Sequence, residues 1–244
     1  MLHDFLPGLV GSELAATIRD GERRFYRPRG APVLPVEFAD AAFRYGHSQI
    51  RERYRLNPGM TPTALFPGLV GFSRVPDAHV ADWTQLFDLP GRSRAPQRSR
   101  RIDGRLVPSL VHLPEQITGD VEAEEHRSLA IRDLQRGVAT GLPSGEAVAV
   151  AMGEDPLDAA EVGVRELGWT WETPLWFYVL KEAEVRCRGE RLGAVGGRIV
   201  AEVLTAVIDL DETSYRACDP SWTPSLPADG SFGLGDLLAF AAAS

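Results

Sequence analysis

Apolar positions along this chain recur mostly at helical spacing, and strand-like alternation is scarce. Residues 12–26 (SELAATIRDGERRFY) carry a weak helical pattern and 35–55 (PVEFADAAFRYGHSQIRERYR) a strong one. Residues 78–88 predict a short helix with Val80, Trp83 and Phe87 on one side. Pro35 suits a first helical position, and Glu37 and Asp40 fall in the first turns, where the helix dipole favours acids. Residues 91–120 hold Pro, Gly and scattered Arg without a period and read as a long loop. Helical spacing returns over 122–140 and 156–167. Thr173-Pro174 reads as an N-cap followed by Pro at the first helical position, and Leu175, Trp176, Val179, Leu180 and Ala183 then form an apolar stripe. Ile199, Val200, Val203, Leu204, Val207 and Ile208 repeat that spacing, with Glu202 and Asp209 off the stripe. A short apolar helix over 234–242 follows, so the C-terminal helices run through 122–242. The predicted class is mainly α.

Composition narrows the function classes. With 44% hydrophobic and 25% charged residues the chain is globular, and 244 residues suffice to bury a full core. The net charge of −8 excludes a generic nucleic-acid binder, because phosphate binding rests on Lys and Arg. The six Arg of 91–105 have no aromatic residues among them and read as a solvated loop. Lys181 is the only Lys beside many Arg, which fits GC-rich codon usage and carries no function. No apolar run reaches the ~20 residues of a membrane span. MLHDFLPGLVGSE lacks the charged and apolar regions of a signal peptide. Cys187 and Cys218 are too few for a disulfide framework and are expected as buried free thiols. His79, His112 and His126 have no metal-ligand spacing. LGAVGG (192–197) is not a dinucleotide fingerprint, and GLPSG (141–145) is not a hydrolase nucleophile elbow. Met152 is expected in the core, and Trp169, Trp171 and Trp176 are expected to pack rather than to relay a radical.

His47 is the residue with chemical promise. Phe43, His47, Ile50 and Tyr54 lie at i, i+4, i+7 and i+11 and would share one face of the 35–55 helix. A histidine in such a stripe is either a core residue satisfied by a backbone carbonyl or an axial ligand to a haem iron. In the second case its other ring N–H needs an acceptor that fixes the ring. Gly46 would let the helix approach a flat macrocycle, and Arg44 could pair with a haem propionate.

Residues 35–57, PVEFADAAFRYGHSQIRERYRLN, resemble the proximal-histidine helix of the animal-type haem peroxidases, the peroxidase–cyclooxygenase superfamily, and most of all its bacterial members. The resemblance continues through RIDGRLVPSLVHLP (101–114), LAIRDLQRGVATGLPSGEAVAVAMG (129–153), TPLWFYVLKEAE (173–184), LGAVGGRIVAEVL (192–204) and DPSWTPSLP (219–227). It implies a multi-helix peroxidase fold around haem b, with hydrogen peroxide as oxidant and a second, reducing substrate. His47 takes the place of the proximal iron ligand, and Arg44 that of the Arg near the haem edge in the same FRYGH motif. The family holds the proximal imidazole with an Asn on the helix that ends in GLPSG. Counting back from Gly141, that place is Asp133 here. An ionised Asp accepting the imidazole N–H makes a charge-assisted bond and puts more electron density on iron. Asp133→Asn is then expected to raise the Fe(III)/Fe(II) potential. Arg136, three residues on, is expected either to neutralise Asp133 or to reach a propionate.

The resemblance also implies a distal His and Arg and an adjoining calcium loop, all ahead of the proximal helix. The 46 residues before His47 do not supply them. MLHDFLPGLVG resembles the segment that follows the distal Arg helix, so His3 is not the distal base, and Arg19, Arg23 and Arg24 lie after that segment. The expectation is one partial peroxidase domain over 1–244, N-terminally truncated, with no distal catalytic residue of its own and no covalent haem link. A partner chain supplying the distal half is one way to complete it. The alternative is a non-catalytic haem- or protein-binding remnant.

Overall fold

The computed structural model describes residues 1–71, 74–89, 95–225 and 232–243. Its class is mainly α: strand is confined to two pieces of two residues each among the described residues. The chain divides into two compact units. The first comprises Met1–Gln49, Arg101–Arg105 and Ala130–Thr223, and the second Ile50–Arg100, Leu106–Leu129 and Pro224–Ser244.

The first unit is organised by two long helices, Leu175–Cys187 and Ala194–Leu210. The first stripe is buried as the spacing predicts, through Leu175, Trp176, Val179, Leu180 and Ala183; on the second Ile199, Val200 and Val203 are buried, whereas Leu204, Val207 and Ile208 are only partly so. They approach closely because Gly196 has no side chain: a Cβ there would lie 2.6 Å from Val179. The Phe5–Val10 and Ser12–Arg19 helices add Leu6, Leu9, Ala15 and Ile18 to this core. The Gly145–Met152 helix starts with Ser144, whose Oγ accepts from the Ala147 N–H at 3.1 Å. Gly145 lies flat on Tyr178, where a Cβ would fall 1.9 Å from the ring. Met152 is buried; both cysteines are free thiols, but against the burial expected of them Cys187 is half-buried and Cys218 exposed.

Several expected details are revised. Thr173 does not cap the Leu175–Cys187 helix; Pro174 occupies the N-cap position, and the Thr173 hydroxyl donates to Glu146 at 2.5 Å. The pattern over 156–167 becomes a short Ala159–Val162 helix, closed by an Asp158–Glu161 capping box, and a separate 3-10 turn. The pattern over 122–140 becomes a Leu129–Ala139 helix preceded by a 3-10 turn. Glu202, expected off the apolar stripe, is buried at 1% exposure. Its carboxylate accepts the backbone N–H groups of Arg24, Phe25 and Tyr26 at 2.8–2.9 Å and the Arg198 guanidinium at 3.3 Å. Residues 24–26 have no regular structure of their own, and Glu202 supplies the acceptors they lack.

The largest revision concerns 35–55. Instead of one helix there are three single-turn pieces, Val36–Ala39, a 3-10 turn Ala42–Tyr45, and Gly46–Gln49, followed by the strand Arg53–Tyr54. The break falls at Ala41, whose φ of −134° and ψ of −78° are not helical. Phe43, His47, Ile50 and Tyr54 therefore do not form one stripe, and Phe43 is exposed.

The second unit has little regular structure. Arg53–Tyr54 pairs antiparallel with Thr63–Ala64, with Arg53 opposite Ala64. Inside the expected 91–120 loop lie two short helices, Pro108–Val111 and Glu115–Thr118; residues 91–94 lie outside the described residues. Leu110 and Leu113 form a small buried cluster with Val107, flanked by Ile50, Leu65 and Phe66. Ser109 is tied to Glu52 through its N–H at 3.3 Å and through its hydroxyl. The predicted 78–88 helix becomes two 3-10 turns, with Val80 and Trp83 exposed. The helix expected over 234–242 is present as Leu234–Ala243. Residues 226–227 of the DPSWTPSLP segment lie outside the described residues.

Candidate functional site

The structure brings His47 and Asp133 together across 86 residues of sequence. His47 Nδ1 lies 2.6 Å from Asp133 Oδ2. Asp133 is 1% exposed, although it belongs to a helix that is otherwise largely accessible. With the carboxylate as acceptor, Nδ1–H is the donor and Nε2 is the ring nitrogen left for another partner. The bond therefore fixes both the tautomer and the plane of the imidazole.

Arg44 completes the arrangement. Its Nη1 donates to the other Asp133 oxygen at 3.2 Å, and its Nε donates to the Ala39 carbonyl at 2.9 Å. Its Nη2 lies 3.5 Å from Asp40 Oδ1. Asp133 is thus divided between the imidazole and a guanidinium, which offsets the cost of burying its charge. The break at Ala41 makes this possible: it places Asp40, Arg44 and His47 on successive short turns rather than on one continuous helix. The Trp176 indole N–H reaches the Arg44 carbonyl at 3.4 Å, so the buried start of the Leu175–Cys187 helix braces the same segment.

Arg136 does not pair with Asp133, the first of its two expected places. It is half exposed, and its Nε lies 3.8 Å from Asp40, not against Asp133. The charge expected from Arg136 is supplied to Asp133 by Arg44. Arg44 itself, expected at a propionate, has its guanidinium engaged by two carboxylates and a carbonyl. Asp40 was assigned only a helix-dipole role by the sequence. No local signal marks it as the carboxylate that joins both arginines.

Other residues fall outside this cluster. His3 is on the surface against Arg19, with its imidazole pushed below the usual histidine range by burial and by the Arg19 charge. Trp169 and Trp171 are exposed, contrary to the packing expected of them, whereas Trp176 is buried. Among the described residues no three His, Cys, Asp or Glu side chains converge as a metal cage. No helix among them is long and apolar enough to cross a membrane. The chain matches no protein-family model and no curated protein.

Proposed function

We propose that this chain carries the proximal side of an animal-type haem peroxidase site and that His47 would hold the iron of haem b through Nε2. The observation that carries the reading is the 2.6 Å bond from His47 Nδ1 to a fully buried carboxylate. A core histidine is satisfied by a backbone carbonyl and needs no charged partner. A ligating histidine gains from one, because the partner on one nitrogen orients the other and raises its basicity. Gly46 suits the same reading: a Cβ there would meet no atom within 4 Å, so the turn carrying His47 faces open space at that point. Haem b, when bound, supplies the iron at which hydrogen peroxide is reduced and a donor substrate oxidised.

The chain's own residues have defined tasks in this scheme. Asp133 holds the Nδ1 proton and fixes the ring. Arg44 holds the second Asp133 oxygen and keeps the carboxylate from turning away. The residues fit the ligand and its anchor; Arg44 is already engaged by two carboxylates, which leaves the half-exposed Arg136 as the arginine available to a propionate. Haemin titration followed by absorption spectroscopy tests the reading. The wild-type chain is expected to show a Soret band shaped by an axial imidazole. His47→Ala abolishes that signature, and added imidazole restores it. Asp133→Asn keeps the ligand and raises the Fe(III)/Fe(II) potential, by less than an unshared Asp would give, because Arg44 already draws on the carboxylate. An unchanged spectrum in His47→Ala overturns the assignment.

A further inference from the structure

Asp133 also lines a groove of about 400 Å³ that the haem reading leaves unused. Leu134 and Val138 come to it from the Leu129–Ala139 helix, and Leu142 from the turn that follows. Trp171, Glu172 and Trp176 come from the segment that leads into the Leu175–Cys187 helix. The volume is that of a small-molecule site, and the walls are mostly apolar with a few polar groups.

The polar groups can be accounted for one by one. Asp133 is engaged by His47 and Arg44. The Ser144 hydroxyl caps its own helix, and the Thr173 hydroxyl is held by Glu146. That leaves Glu172 and the Trp171 indole; Glu172 is an exposed lining residue for which no ion pair is seen among the described residues. No Lys, Arg or His lines the groove. Beside Glu172 stands the Trp171 indole, 78% exposed, a large apolar surface left in water. The turn that presents both residues is pinned by the Trp169 indole N–H, which reaches the Glu172 carbonyl at 3.4 Å.

We propose that this groove binds a small organic cation with an aromatic body, of the arylalkylammonium class. The ring would cover Trp171 and the apolar wall, and the ammonium would meet the Glu172 carboxylate and the indole face. An anion would meet two carboxylates and no cation. A neutral aromatic would cover Glu172 without replacing its water.

The inference is independent of haem and is tested on the chain without it, so its failure leaves the role of His47 untouched. Calorimetric titration at neutral pH uses phenethylammonium and its neutral counterpart 2-phenylethanol. The cation is expected to bind about tenfold more tightly than the alcohol, and added salt narrows the gap. Trp171→Ala and Glu172→Gln each weaken cation binding by about three- to fivefold. Both side chains are exposed, so neither change threatens the fold. Absence of binding, equal affinity for the two probes, or an unchanged affinity in either variant overturns the proposal.

Discussion

In the unit that holds His47, carboxylates, three of them buried and Glu146 half-buried, join segments that helix packing alone leaves unconnected. Glu202 holds residues 24–26, Glu182 accepts the Val195 and Gly196 N–H groups at the start of the Ala194–Leu210 helix, and Glu146 holds Thr173. Asp133 belongs to the same series, with a histidine and an arginine in place of backbone donors. In the second unit the ties are half-buried side chains, Glu52 to Ser109 and Gln97 to the Arg55 backbone, beside a small apolar cluster of Val107, Leu110 and Leu113 and a strand pair two residues long. Dispersed apolar contact tolerates loss in steps. A buried acceptor that serves three donors does not, since each stranded N–H carries its own desolvation cost. The first unit should therefore fail abruptly at single residues and the second gradually.

Three measurements sharpen that contrast. Glu202→Ala strands three backbone N–H groups and the Arg198 guanidinium, and is expected to cost about 4 kcal/mol in denaturant unfolding. A cost below about 1 kcal/mol would show that water reaches those donors freely. Leu110→Ala in the second unit should cost about 2 kcal/mol, near the low end for a buried leucine because the cluster is small. Hydrogen exchange should rise first over 107–113, and a larger loss than that of Glu202→Ala would reverse the comparison. The smallest effect concerns Glu182, whose carboxyl is pushed above its usual range chiefly by burial. A raised folded pKa means that the folded state takes up the proton more readily. The stability this group gives is complete below the ordinary carboxylate range and is lost as pH rises through the raised value. Glu182→Gln removes that dependence while keeping an acceptor oxygen. The variant should gain on the wild type as pH rises from acid towards neutral. Parallel stability curves would remove Glu182 as a titrating cap.

The site was legible in a specific sense. Counting back from Gly141 reaches Asp133, and the structure places that residue on His47. The partner of Asp133 was not legible. Arg136 stands three residues away in sequence, yet Arg44, 89 residues away, makes the bond. Proximity along a helix says which residues can meet, but not which competing carboxylate each will choose, and Asp40 decides that here. Glu202 offered a signal that helical periodicity passes over. It is a lone acid within the apolar run Ile199–Leu204, where the stripe has little room for a solvated face.

The helical class, the two long apolar helices and the Ser144 cap follow from local spacing and local hydrogen bonding, which act within one or two turns of chain. The same local rules join 35–55 into a single helix, and there they are overruled. The break at Ala41 is favoured because it lets Asp40, Arg44 and His47 reach partners on a distant helix. A few lost helical hydrogen bonds on a half-exposed segment cost less than an unpaired buried Asp133. That balance is set by which elements lie against one another, and so it is decided by the tertiary structure.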